Sequence, residues 1–433
     1  MRRREVLLAI AAAFVSGCGG AQSGSAPAEP PSPTAAPAVP TVAPATPTAL
    51  PPTPRPSPTA TLAPTLVPTA PPTATPLPSP TPTPVPSDQV PLDIRLWNGA
   101  AVVQVDGRTV EPGRVLVDPR PHQAAALLDG EPFAIVDVPP EGGLVDFIVP
   151  PPLAALAVMV ENQADARPQS GLPQADVVYE CLAEGGISRF VAVFLTGDAA
   201  VVGPVRSLRH YFAFLAADYG ADLVHIGASP EGFAWRDAMD LGKLDESAGD
   251  PGVWRVRYRP VPHNAYTNTA ADRDFLVARG RQQGRAWGPL RFCPSAPLGS
   301  EPAADISIGF RPWPYWVGYT WDPETGTYPR SMEGLAHHDA ESGERIAPSS
   351  VVVQLADVQP IPNDPKLRLD IDLVGASGEL VVFSGGTRRS GSWRKGAPRT
   401  PAQWLDDDGQ PLVLPPGQVW VEVVPLGSLV VSA

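Results

Sequence analysis

The chain has 433 residues and carries 45 Asp and Glu against 32 Lys and Arg, a formal charge of −13 at neutral pH. That balance excludes wholesale nucleic-acid binding, which calls for a basic domain or stripe. Prolines crowd the stretch before residue 90, which holds 23 of the 58, so the chain divides into a stretch that cannot build a core and about 340 residues that can, enough for two or three cores.

The first seventeen residues, MRRREVLLAIAAAFVSG, join a basic start (Arg2, Arg3, Arg4) to a short apolar run. A bilayer span needs about 20 apolar residues, so residues 1–17 read as a secretory signal. Val15-Ser16-Gly17-Cys18 resembles the bacterial lipobox, in which the cysteine is lipidated on its thiol and becomes the new N-terminus. Cys18 is therefore the expected lipidation residue and membrane lipid an expected partner, on the extracytoplasmic face of the cell membrane. Arg3-Arg4-Glu5-Val6-Leu7 also resembles a twin-arginine export signal. Of the other cysteines, Cys181 and Cys293 lie in different expected elements and read as free, buried thiols rather than a disulfide framework.

Residues 18–90 are Pro, Thr, Ala and Ser with almost no charge and no apolar periodicity. The expectation is a disordered, semi-rigid stalk, on the order of 200 Å long if fully extended as polyproline II. Between 91 and 150, runs such as DIRLW, AVVQVDGRTV and FAIVDV are separated by the turn signals Asp106-Gly107, Pro112-Gly113 and Asp129-Gly130. These predict a small all-β module with no cluster of chemistry-bearing residues.

Residues 151–300 alternate apolar runs suited to buried strands (LAALAVMVEN, VAVFLTG, DLVHIGAS) with the helical spacing of SLRHYFAFLAADYG. That alternation predicts an α/β domain. Residues 301–433 return to strand patterns bounded by Gly, Pro and Asp turns, predicting a mainly β domain to the C-terminus.

The stretch GPVRSLRHYFAFLAADY reads as a helix over 204–217 with Pro204 at its first position. It sets Arg206 and Arg209 in the first turn, where the helix dipole disfavours cations. Three apart, they share a face. With the free N–H groups of that turn they form a candidate pocket for phosphate or carboxylate; the competing reading pairs them with Glu180, Glu184 or Asp218. Arg189 opens the return strand of a hairpin turned by Gly185-Gly186, as a third cation of the pocket or a cross-strand partner of a glutamate. PVPHNAYTN adds His263, Asn264 and Tyr266 as a candidate binding edge, with His263 able to serve as a general base.

His225 reads as a core or rim residue, and His337-His338-Asp339 as a turn, because adjacent side chains on a strand face opposite ways. Trp313, Trp316, Trp321, Trp393, Trp404 and Trp420 suit either a core or a sugar-stacking face, and Trp393-Arg394-Lys395 reads as a solvated cationic hairpin tip. There is no G-x-S-x-G, H-E-x-x-H, Walker loop or C-x-x-C. Accordingly no catalytic residue is assigned, no cofactor is expected, and catalysis stays open.

AVMVENQADARPQSGLPQADVVYECLAEGGISRFVAVF, GPVRSLRHYF and PHNAYTNT, followed by YTWDPETGTYPRSMEGLAHHD, GSWRKG and LPPGQVWVEVVP, resemble the DUF3048 family of bacterial lipoproteins over about 155–426. The resemblance implies an envelope location and a pair of family domains, and no reaction. In element order the 176–209 region also resembles the LytR-CpsA-Psr phosphotransferases of polyprenyl-linked glycopolymers. That likeness implies Arg206 and Arg209 on a pyrophosphate and Asp176 near a divalent metal. The expected ligand is thus an anionic envelope component such as a phosphorylated glycan or lipid-linked precursor. The alternatives are a phosphotransferase or hydrolase on such saccharides, or a protein-interaction module without a ligand.

Overall fold

The computed structural model describes residues 88–281 and 284–433. The expected signal segment, Cys18 and all but the end of the stalk lie outside the described residues.

Residues 90–148 form two small sheets. Val90–Trp97 pairs antiparallel with Gly113–Val117 and parallel with Gly143–Ile148. Val102–Val105, Arg108–Val110, His122–Leu128 and Glu131–Val138 form a four-stranded meander. Asp106-Gly107 and Asp129-Gly130 all have positive φ, the backbone that tight hairpin turns require. Alternate residues point inward, so that Leu92, Ile94, Val103, Ala124, Ala126 and Phe147 build a core distinct from that of the rest of the chain.

Beyond residue 150, twelve strands join into one mixed sheet. Its central run is Asp222–His225, Leu156–Glu161, Ser188–Phe194, Val177–Leu182, Val419–Pro425, Ser350–Pro360 and Ala376–Ser384. Leu156–Glu161, Val177–Leu182, Ser188–Phe194 and Val419–Pro425 are buried at every residue. Strands covered on both faces read as continuous apolar runs, which is how they stand in the sequence. Val419–Pro425 lies parallel to Val177–Leu182, setting Glu422 beside Glu180. The two halves of the chain therefore share one sheet and one apolar core.

Over the described residues strand accounts for 43% and helix for 11%, so the molecule is mostly β and the α/β character expected of 151–300 is met only in part. Three α-helices occur among the described residues: His210–Asp218, Pro230–Ala238 and Thr269–Ala278. A parallel crossover is made where Pro230–Ala238 links Asp222–His225 to Lys243–Asp245. Elsewhere the antiparallel hairpin Val177–Phe194 continues straight into strands of the C-terminal half. Buried apolar runs declare themselves as strands, but carry no signal for which neighbour they take.

A second sheet, built from Asp305–Gly309, Trp316–Thr320, Arg330–Met332, Leu335–Ala336 and Leu429–Ser432, sends polar side chains into the seam. Arg330 is fully buried, ion-pairs with Glu180 and lies 3.7 Å from Glu422. Its guanidinium sits 4.5 Å from the Trp420 ring centre, so aromatic faces replace part of its lost hydration. Glu180 also accepts from Tyr315 at 2.7 Å, Asn162 at 3.0 Å and Ser188, and Glu422 accepts from Tyr319. Burial, then the neighbouring Glu180 charge, pushes the Glu422 carboxyl well above the usual range. His337 is kept neutral by burial and by Arg330. It accepts from Arg330 at Nδ1 and donates from Nε2 to Gln169 Oε1, at 2.7 and 2.9 Å.

Trp393, Trp404 and Trp420 belong to the core rather than to a sugar-binding face. The reading of Lys395 as a solvated hairpin tip is corrected: Lys395 is buried and pairs with Asp218, whose carboxyl burial raises to about 6. Asp218 is thereby unavailable to the arginines of the candidate pocket.

Candidate anion-binding site

The segment that carries Arg206 and Arg209 is not helical at its start. The helix begins at His210 with Arg209 as its N-cap residue, in extended geometry at φ −120°, ψ 157°. Upstream, the N–H groups of Val205, Arg206 and Leu208 donate to Ala265, Met159 and Gly227 carbonyls, and Glu161 N–H donates to Pro204. Residues 203–208 are thus stitched between the Leu156–Glu161 strand and the Ala265–Tyr266 hairpin. Gly203 permits that approach, since a Cβ there would lie 2.7 Å from the Ala265 carbonyl. The expected helix 204–217 is shorter because these donors find strand partners rather than carbonyls four residues back.

Arg189, on the strand Ser188–Phe194, brings a third guanidinium to the same place. The turn Glu184–Gly186, made possible by φ of 67° and 77° at Gly185 and Gly186, carries Glu184 over it. Together Glu161, Gln163, Glu184, Ser188, Arg189, Arg206, Ser207, Arg209 and Lys366 line a pocket of about 290 Å³. Four cations face two carboxylates, a local positive excess on an acidic chain.

The arginines have carboxylate partners and also line a pocket. Arg209 pairs with Glu184 and donates to Leu208 O at 2.7 Å. Arg189 donates to Ser207 O at 2.8 Å and lies 3.9 Å from Glu184. Arg206 Nε sits 3.0 Å from Glu161 Oε1 without the alignment of a hydrogen bond, and neither of its terminal nitrogens has a hydrogen-bond partner among the described residues. Burial, then the adjacent Arg209 charge, lowers the Arg189 guanidinium to about 10. A buried cation weakened by other cations is one that a bound anion would relieve.

His263 Nδ1–H donates to Glu161 Oε2 at 2.9 Å, so it borders the pocket through Glu161 without lining it. Asn264 is occupied within the hairpin, accepting from Arg255 at 2.9 Å and donating to Val256 O at 3.0 Å. Tyr266 is buried against the 203–205 segment. Neither reaches the pocket. Asp176, the candidate metal residue, accepts from Leu195 N–H at 2.6 Å and from Thr196 at both N–H and hydroxyl, so it ties a turn. No group of three or more His, Cys, Asp or Glu among the described residues is placed to hold a metal ion.

His225 donates to Gly227 O at 2.9 Å, and burial lowers it to about 4, the behaviour of a neutral core residue. His337 serves Arg330, His338 bonds Gly343 O, and Asp339 accepts from Glu341 and Ser342 N–H groups in a turn. Cys181 and Cys293 are free thiols, Cys181 buried and Cys293 half-buried. Glu161 and Lys366 were missed by sequence reasoning. Glu161 ends an apolar run, where a carboxylate opposite a basic segment is a usable signal; Lys366 comes from the far half of the chain with none.

The model described as "Protein of unknown function (DUF3048) N-terminal domain" matches residues 151–282, and its C-terminal counterpart matches 306–421. The "Putative lipoprotein YerB" of Bacillus subtilis is 32% identical over 277 residues, spanning 62% of this chain and 81% of that protein. The chain belongs to the DUF3048 family. A crystal structure of the YerB protein from Bacillus subtilis superposes with a TM-score of 0.56 at 29% identity, covering 65% of this chain and 94% of the other. The arginines of the pocket fall in the N-terminal DUF3048 domain and Lys366 in the C-terminal one, so the pocket draws on both. The β module before residue 151 lies outside both matches.

Proposed function

We propose that this DUF3048 protein is a lipid-anchored envelope protein, tethered through Cys18, whose arginine pocket binds an anionic, phosphate-bearing envelope component such as a phosphorylated glycan or lipid-linked precursor. Its role is binding rather than turnover. The observation that carries this reading is Arg206: among the described residues its terminal nitrogens are unpartnered, in a pocket where cations outnumber carboxylates. Guanidinium groups recognise phosphate through paired N–H donors, and a partly desolvated site strengthens each such bond. A volume of about 290 Å³ suits a phosphate group with part of a sugar. Asp176 takes no part in this reading, because its oxygens are occupied by Leu195 and Thr196.

Isothermal titration with inorganic phosphate and with soluble poly(glycerol phosphate) tests the proposal. Arg206→Ala is expected to weaken both by about tenfold, the usual scale of a charge-assisted bond. Because Arg206 is only ion-paired at Nε, its unfolding temperature is expected to stay within about 2 °C of the parent. Equal binding by parent and variant, or no binding of either probe at millimolar concentration, would overturn the proposal.

A further inference from the structure

The hairpin that closes on His263 has an exposed tip. Its sequence WRVRYRPVP, residues 254–262, holds three arginines and no carboxylate on a chain of net charge −13. Two of these arginines turn back into the fold. Arg255 bonds Asn264 at 2.9 Å and Glu246 at 3.2 Å, and Arg259 donates to Pro168 O at 2.7 Å. Backbone bonds from Val256 N to Asn264 O and from His263 N to Pro260 O, 2.8 and 2.9 Å, fix the loop between them. The third, Arg257, is exposed and has no partner among the described residues. Around it stand Tyr258 at 73% exposure, Val261 at 72% and Trp254 at 39%.

We propose that this tip docks on an anionic lipid surface. Trp254 and Tyr258 would lie at headgroup depth, Val261 at the edge of the acyl region, and Arg257 on a headgroup phosphate. Aromatic side chains with one polar end favour the membrane–water boundary, and a basic residue there gains from anionic headgroups. Charge complementarity singles out this tip, because the acidic chain as a whole is repelled by such a surface. A saccharide would use the flat faces of the aromatics and leave Val261 without a role. The proposal does not depend on what the arginine pocket binds, although geometry links the two: His263, at the base of the tip, bonds Glu161 of the pocket wall. Docking would therefore bring the pocket near the headgroups.

Co-sedimentation with vesicles tests the proposal on the full chain, with Cys18→Ser in every sample so that residues 1–87 contribute equally throughout. The vesicles are phosphatidylcholine alone and phosphatidylcholine mixed with phosphatidylglycerol. Binding is expected to the mixed vesicles, weakened about fivefold by Arg257→Gln and about tenfold by Tyr258→Ser with Val261→Ser, with unchanged unfolding temperatures. Arg206→Ala is expected to keep vesicle binding while losing phosphate binding, which separates failure of the tip from failure of the pocket. Equal partitioning of all variants, or no preference for the anionic vesicles, would overturn the proposal. So would binding of poly(glycerol phosphate) that needs Tyr258 and Val261 when vesicles do not bind.

Discussion

Glu184 competes with any ligand for the arginines beneath it. Burial alone would raise its carboxyl, but Arg209 and Arg189 hold it below the usual range, so it is an anion already seated among the cations. Glu184→Gln keeps the shape of the turn and removes that competitor. Phosphate binding is expected to tighten by about fivefold, equivalent to ~1 kcal/mol, read by the same titration as for Arg206→Ala. If the pocket only stabilises the fold, the variant will lose stability and leave phosphate binding unmoved. At this scale much was legible: two arginines three apart beside a glycine turn ask for an anion, and Arg189, Arg206 and Arg209 do converge. The identity of the competing anion was half legible, since Glu184 stands with Glu180 and Asp218 among the expected carboxylate partners of the arginines. The strand that carries Glu180 ends at Leu182, which puts Glu184 on the turn above the arginines and leaves Glu180 to Arg330 in the core.

Among the elements, the parallel contact of Val177–Leu182 with Val419–Pro425 places two fully buried carboxyl groups side by side. One charge can be balanced by Arg330, and the second is disfavoured, which pushes the Glu422 carboxyl up. The two residues should therefore respond differently to the same chemical change. Glu180→Gln strands the buried Arg330 charge and is expected to cost roughly 3–5 kcal/mol. Glu422→Gln replaces a neutral acid with a neutral amide and should cost under about 1 kcal/mol at pH 5. The pH dependence has a definite sign. A carboxyl whose folded pKa is raised binds more proton folded than unfolded, so its contribution is complete below the unfolded value and is lost as pH rises towards the folded one. Glu422→Gln should consequently gain on the parent as pH is raised from 5 to 8 in urea unfolding. A difference that stays constant with pH would show that Glu422 is ionised in the fold. The sequence pattern VVYECL or VWVEVV marks each strand as buried, yet this pairing spans more than 200 residues and has no local signal. For the same reason the helix expected at 204–217 starts late: its first donors are claimed by strands remote in sequence.

For the whole molecule, the division of apolar cores bears on how it unfolds. The halves of the DUF3048 pair, read from sequence as an α/β and a β domain, share one core because Val419–Pro425 fills the centre of the sheet. Neither half can close its sheet alone. The module of residues 90–148 has its own core and meets the rest at few points, such as Asn98 with Leu290 and Phe292, and Trp287 with Val149. Cooperative units follow cores more closely than they follow family boundaries. Calorimetry of the chain is therefore expected to resolve two transitions. The smaller, from about 60 residues, should carry roughly 40 kcal/mol, and the larger, from about 280, roughly 200 kcal/mol, at ~0.7 kcal/mol per residue near 60 °C. Phe147→Ala, deep in the module, should lower the first transition and leave the second in place, whereas Glu180→Gln should lower the second alone. A single transition moved by both variants would mean that contacts across the Asn98 junction couple the module to the DUF3048 body. Three transitions would mean that the shared sheet divides after all between its two halves.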